Sequence, residues 1–281
     1  MATIDLGSPA SDAVDWALNH LGWLFDAVSS VAEAVVGRIE DVLGGPPSAV
    51  LIAMLVVIPL LLRRWGIALF AVLAFSLVAG MELWTETMQS LSVVLVATVV
   101  AVAVGIPVGI AAARRRWVSI GVRPVLDLMQ TTPPFVYLIP AVFFFGVGVV
   151  PGVVATAVFA LAPAVRLTEL GIRQVDREVV EAAEAFGAPP GRILRDVQLP
   201  LALPSIMAGI NQVIMLALSM VVVAGLAGAE GLGATVTSAV TQLDVGAGFQ
   251  GGLAVVILAV YLDRVTGALA APRSVAVGGW L

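Results

Sequence analysis

Long apolar runs, broken by short polar stretches, organise most of the chain. Segments 47–62, 65–81, 90–113, 134–148, 149–165 and 203–225 carry no charged residue, and a seventh, 251–270, carries only Asp263 and Arg264. About 20 apolar residues in a helix cross the hydrocarbon core of a bilayer. The pattern therefore predicts an all-α integral membrane protein of about seven transmembrane helices. The fourth and fifth segments also read as one bent unit around Gly146, Gly148 and Pro151. Pro59, Pro107, Pro140 and Pro163 fall inside spans. Broken helices survive in a membrane where neighbours or a water-filled cavity satisfy the freed backbone groups. That suits a transporter, although proline is common in membrane helices generally.

Residues 11–43 show a different periodicity. Val14, Leu18, Leu21, Phe25, Val28, Ala32, Val35, Ile39 and Val42 recur at alternating spacings of four and three, against Asp15, Asp26, Glu33, Glu40 and Asp41 on the other face. This predicts an amphipathic helix lying on the membrane. Ser11 and Asp12 suit its start, and Gly44-Gly45-Pro46 its end. Interfacial helices are usually basic, so attraction to anionic lipid is not what holds this acidic one.

The longest polar interruption is 166–204. Arg177 to Phe186 reads as a helix ended by Gly187, where a positive φ suits glycine. Pro189-Pro190 can open a second helix over Gly191 to Val197, and Leu199-Pro200 is expected to turn the chain back to the membrane. Ile193, Leu194 and Val197 form an apolar patch between charges, expected to dock into a partner's groove.

Composition narrows the class. Hydrophobic residues make up 60% and charged residues 12%, against roughly 25% charged in soluble domains. There is no Cys and one His, His20, which removes disulfides and Cys/His zinc sites. Every basic residue is Arg. Without Lys the chain has neither a Walker A loop nor Schiff-base chemistry. The start, MATIDLGSPASDAVDW, lacks the basic and apolar regions of a signal peptide. Arginines cluster after alternate spans: Arg63 and Arg64; Arg114, Arg115, Arg116 and Arg123; Arg166 to Arg195; Arg264 and Arg273. The positive-inside rule then puts the N-terminus outside, the C-terminus and segment 166–204 in the cytoplasm, and Glu82, Glu86, Glu230 and Asp244 outside.

Five further features have alternative readings. Asn211, Met215 and Ser219 share one helical face, with Gln212 beside them, and either line a solute path or bond between helices. Tyr137 is an aromatic hydroxyl in a broken span, and aromatic faces hold quaternary cations. Gly105 and Gly109 form G-x-x-x-G, read as close helix packing. Residues 225–233, GLAGAEGLG, lack the strand–helix context of a dinucleotide loop and read as an external re-entrant or loop element. Arg114-Arg115-Arg116 sets topology or senses anionic lipid or ionic strength.

A resemblance follows from several of these residues together. Glu181-Ala182-Ala183, Gly187 after three intervening residues, then Val197 and Leu199-Pro200 look like the EAA loop of ATP-binding-cassette (ABC) importer permeases. Val197 replaces the usual Ile, and Pro189 stands where Thr is common. Segments Gln130 to Pro140, Arg166 to Val175, Ala208 to Gln212, Leu218 to Val222 and Leu262 to Arg264 resemble the osmoprotectant branch, which carries glycine betaine, proline betaine or choline. The likeness covers roughly Met88 to Thr266.

It implies an ABC type I importer permease fold in a bacterial cytoplasmic (inner) membrane. The expected parts are an external segment 1–46 with the amphipathic helix, two spans over 47–87, a permease core over 88–270 and a cytoplasmic tail over 271–281. It also implies a transport subunit that is no enzyme itself and holds no cofactor or metal. The expected partners are a second copy, two ATP-binding subunits carrying ATP and magnesium, and a separate external binding protein, with no nucleic acid. Glu181, Ala182, Ala183, Gly187, Ile193, Leu194, Val197, Leu199 and Pro200 would couple to the ATPase, and Tyr137, Asn211, Gln212, Met215 and Ser219 would line the path. Glycine betaine is the leading solute, with choline, carnitine or proline betaine as alternatives. An ATPase-independent secondary transporter is the reading from another class, and the EAA loop argues against it.

Overall fold

A computed structural model describes residues 7–270, and every regular element among them is helical. In chain order these are α1 (Gly7–Gly44), α2 (Ser48–Leu61), α3 (Trp65–Gly80), α4 (Trp84–Arg114), α5 (Arg116–Thr131), α6 (Pro134–Phe145), α7 (Val149–Arg173), α8 (Arg177–Ala185), α9 (Pro190–Ile193), a π-turn (Leu194–Gln198), α10 (Leu199–Leu226), α11 (Leu232–Gln242) and α12 (Val245–Ala270). The expected tail, 271–281, lies outside the described residues.

Each of the seven expected apolar segments falls on a helix, but they differ in reach. Helices α4, α7 and α12 and the run Pro190–Leu226 are each long and apolar enough to cross a bilayer. Two further candidates are bent pairs, α1 with α2 at 100° and α5 with α6 at 102°. The described chain thus has four crossings by length and composition, or up to six if each pair is one span. Helix α3, with 16 residues, reaches about 24 Å, and α6, with 12, about 18 Å. Both fall short of the ~30 Å core, so the seven-span expectation is not met on length alone.

The centre is the bundle of α4, α7 and α10. Its packing is built from small residues: Ala101, Ala160, Ala164 and Val213 form one buried cluster. Without water to drive helices together, close backbone approach supplies the attraction. Gly105 and Gly109 sit at this contact. A Cβ on Gly105 would lie 2.5 Å from the Cβ of Ala164, and one on Gly109 would lie 2.6 Å from the Cβ of Thr168 and 2.7 Å from the Val165 carbonyl. The packing reading of the G-x-x-x-G pair is therefore the observed one. A second cluster joins α2, α3 and α12, where Tyr261 donates to the Leu55 carbonyl at 2.8 Å and meets Phe75 edge-on.

Helix α1 differs from the expected surface helix. It ends at Gly44 as expected, but one face packs on protein. Val36 is buried with Val93, Val96, Ala97, Val153 and Ala157, and Phe25 stacks on Phe144 at 4.7 Å. The covered residues are Leu21, Phe25, Ala32, Val36 and Ile39, while Val28, Val35 and Val42 remain exposed. The apolar stripe is wide enough to serve two surfaces, and the contacts with α4, α6 and α7 explain what holds an acidic helix here.

Helix α5 was not expected. Its Val118, Ser119, Val122, Leu126 and Met129 face the bundle, and Trp117, Ile120, Val125 and Leu128 are exposed. Helix α11 follows the GLAGAEGLG turn, where Gly228 and Gly231 have φ of +84° and +104°. There Ser90 accepts the Leu232 N–H at 2.8 Å, tying the turn to α4 and supporting its reading as a folded-back loop element.

Candidate functional site: a protruding helix and its ionic root

The polar segment 166–204 begins on α7, which runs on to Arg173 instead of ending near 165. The chain then leaves the bundle as α8. Asp176 caps the first turn by accepting the Glu178 N–H at 3.0 Å. At the other end Gly187, with φ +78°, donates to the Glu184 carbonyl at 2.8 Å, and Ala188 donates to the Ala183 carbonyl at 3.1 Å. This pair of bonds is a Schellman cap. Nine residues with no buried side chain make a marginal helix. The two caps are what hold it.

The second half departs from expectation. Leu199-Pro200 does not turn the chain. Helix α9 continues through the π-turn into α10, so Pro190–Leu226 is one helical run. Pro200 has no N–H for the Asp196 carbonyl, and the register widens there, with Leu199 donating to the Leu194 carbonyl. The second half of the polar segment is therefore the end of a core helix.

The apolar patch also faces the other way. Ile193 is only 4% exposed, and Leu194 packs with Ile172, Ala202 and Ile206. Val197 and Leu199 are half-buried. These residues fix the segment to the bundle and leave little surface to offer. What protrudes is Phe186, 93% exposed at the tip of α8, with Val179, Glu181 and Ala182. The pattern reading missed Phe186, although a large aromatic directly before a capping glycine in a polar segment was a visible signal.

The root of this segment is an ionic knot. Glu169 on α7 is buried, and its Oε1 accepts from Ser119 Oγ at 2.7 Å, Arg173 Nε at 2.9 Å and Arg123 at 3.3 Å. Arg173 also donates to the Ala112 carbonyl of α4 at 2.9 Å. Arg166 pairs with Asp127 nearby. A buried carboxylate is tolerable only when paired and hydrogen-bonded. Here one carboxylate ties α5 to α7, and through Arg173 to α4, just where α7 hands over to α8. The i,i+4 spacing of Glu169 and Arg173 was readable in the sequence; the Ser119 and Arg123 partners, 50 and 46 residues away, were not.

The candidate path residues fall into two groups. Gln212, Met215 and Ser219 are exposed on α10, and with Leu201, Ala208 and Leu226 they form one uncovered face. Asn211 bridges helices instead: its Nδ2 donates to Asp263 at 3.1 Å, and its Oδ1 accepts from Thr266 at 2.6 Å. Tyr137 donates to the Met129 carbonyl at 2.6 Å and meets Phe159 edge-on, which pins the α5–α6 bend.

This arrangement is that of a helical membrane permease with a protruding polar segment. Residues 105–273 match the family described as binding-protein-dependent transport system inner membrane component, and the chain belongs to that family. It is 48% identical to the glycine betaine transport system permease protein OpuAB of Bacillus subtilis, over 90% of each chain. It is 45% identical to the glycine betaine/carnitine transport permease protein GbuB of Listeria monocytogenes, over 94% of this chain and 95% of that one. For the glycine betaine/proline betaine permease ProW of Escherichia coli the figures are 41% identity, 95% and 75%. The fold is also that of the inward-facing MetNI methionine ABC transporter, with a TM-score of 0.58 at 21% identity over 65% of this chain and 91% of that one.

Proposed function

We propose that the chain is the permease subunit of an ATP-driven importer of a quaternary-ammonium solute, with glycine betaine as the solute. The family supports the permease role, and the names of its relatives support the solute. The observation that carries the coupling mechanism is α8, a doubly capped helix with no buried side chain, held out from the end of a core helix. It projects from the bundle where a partner can reach it, and the arginines around it make that face cytoplasmic by the positive-inside rule.

Two copies enclose the path along the uncovered α10 face with Gln212, Met215 and Ser219, and an ATPase subunit grips α8 of each. ATP and magnesium bind those subunits and not this chain. A separate binding protein delivers solute to the opposite face, near Glu82, Glu86 and Glu230. Tilting α8 moves the α7 end through Glu169 and Arg173, and moves α10 directly through the π-turn.

The test is uptake of labelled glycine betaine into proteoliposomes holding the chain and its ATPase, with binding protein outside and ATP inside. Unlabelled carnitine, choline and proline betaine are the competitors. ATP-dependent uptake resisted by those competitors supports the reading. ATP-dependent uptake that carnitine or choline displaces more strongly reassigns the solute.

A further inference from the structure

We infer that the permease holds a phosphate-bearing anion in a basic cavity at the root of the coupling segment. The cavity, of about 520 Å³, is lined by Arg114, Arg116, Arg123 and Arg173, with Ser119 on its wall. It lies where α4 ends and α5 begins. Arg115 between them is extended, with φ −126° and ψ 112°, so its neighbours in sequence point to the same side. Arg115 itself turns away, its guanidinium 5.9 Å over the Trp117 ring.

The charge balance is uneven. Arg123 and Arg173 share one carboxylate, Glu169. Arg114 and Arg116 make no ion pair among the described residues. Arg166 is neutralised by Asp127. Four guanidinium groups thus face one carboxylate, and arginine does not shed its proton. A topogenic role requires arginines on one side of the membrane and nothing more; Arg63 and Arg64 meet that need without lining this cavity. Convergence on a shared space is the additional feature. Guanidinium forks match phosphate oxygens bidentately, and α5 opens here with no side chain capping its first-turn amides.

Two sources supply this chemistry, an anionic lipid headgroup or a soluble phosphate. Beside the cavity, Trp117, Ile120, Val125 and Leu128 of α5 are exposed apolar groups, which suit acyl chains. A second cavity shares Arg114 and Arg173 with this one and is also lined by Arg177, Glu181 and Glu184 of α8. An anion that engages Arg114 and Arg173 therefore sits one cavity away from the α8 carboxylates, close enough for its charge to act on that helix. The inference does not depend on which solute crosses.

The experiment uses the full chain in nanodiscs. One arm compares phosphatidylglycerol with phosphatidylcholine and counts retained lipid by native mass spectrometry. The other titrates inorganic phosphate against the chain in phosphatidylcholine discs. Arg114→Gln/Arg116→Gln is compared with Arg63→Gln/Arg64→Gln, which removes the same charge elsewhere. Each arginine removed takes away a charge-assisted hydrogen bond to the anion, about a tenfold effect. The cavity variant should therefore weaken binding on the order of a hundredfold in one arm, and the control should bind like the parent chain. Selective phosphatidylglycerol retention assigns the lipid source, and saturable phosphate binding the soluble one. Equal weakening in both variants, or no binding in either arm by the parent chain, overturns the site.

Discussion

Replacing Gly187 isolates the backbone contribution to coupling, because nothing else there would change. Gly187 sits at φ +78°, and a Cβ built on it meets no atom within 4 Å. A side chain therefore fits sterically, and the cost is purely conformational. For an alanine in the left-handed region that is about 1–2 kcal/mol. A β-branched residue costs more, and asparagine, which visits the region readily, costs less. Helix α8 has nine residues and no buried side chain, so no packing energy absorbs the strain. A loss of about 1–2 kcal/mol shifts its folded-to-unfolded ratio by roughly 5- to 30-fold. Amide hydrogen exchange at Ala183 to Ala188 reads this directly, and the ratio of ATP hydrolysed to solute imported reads its consequence. The expected order of damage is Gly187→Asn, then Gly187→Ala, then Gly187→Val, in both assays. If Gly187→Val kept parental exchange and a parental ratio, the Schellman cap would have no part in coupling.

Other positions test the rest of the structure. Gly109→Ala drives a methyl group to within 2.6–2.7 Å of Thr168 and the Val165 carbonyl; overpacking of this kind costs about 1–3 kcal/mol, and the detergent-solubilised chain should melt at a lower temperature, an unchanged melting point counting against the α4–α7 contact. Glu169→Gln removes the negative charge shared by Arg123 and Arg173 and leaves an amide oxygen that still accepts from Ser119. Both arginines keep water contact, so the loss should be about 1–2 kcal/mol, read as faster exchange at the start of α5; unaltered exchange would separate α5 from the knot. Asn211→Ala should lower thermal stability by about 1 kcal/mol and leave the KM for solute alone. Ser219→Ala should do the reverse, and a large KM change with full stability for Asn211→Ala would return Asn211 to the path.

The sequence showed the helices where its own periodicity decided them. Seven apolar segments became seven helices, and Gly187 ended α8 as its flanking pattern implied. Where two surfaces compete for one side chain, pattern alone could not choose. Ile193 and Leu194 looked like a docking patch because they lie between charges, yet the bundle side, with Ile172, Ala202 and Ile206, claims them. Leu199-Pro200 looked like a turn because proline lacks a donor, but a π-turn accommodates that missing bond without breaking the helix. Helix α5 carries its stripe at Val118, Val122, Leu126 and Met129, a periodicity present in the sequence but interrupted by charged and glycine positions. The Arg-lined cavity needed the extended Arg115 between α4 and α5, a backbone choice that no residue pattern announces.

The central claim is that α8 is the part an ATPase subunit grips. The chain contains no cysteine, so a single introduced thiol can be labelled cleanly. Phe186→Cys at the tip of α8 and Leu269→Cys near the end of α12 are both exposed positions. Maleimide labelling of each should be followed with and without the ATPase subunit. The account predicts that the ATPase shields position 186 and leaves position 269 unchanged. Equal labelling of position 186 in both conditions, with the ATPase still bound, would contradict it.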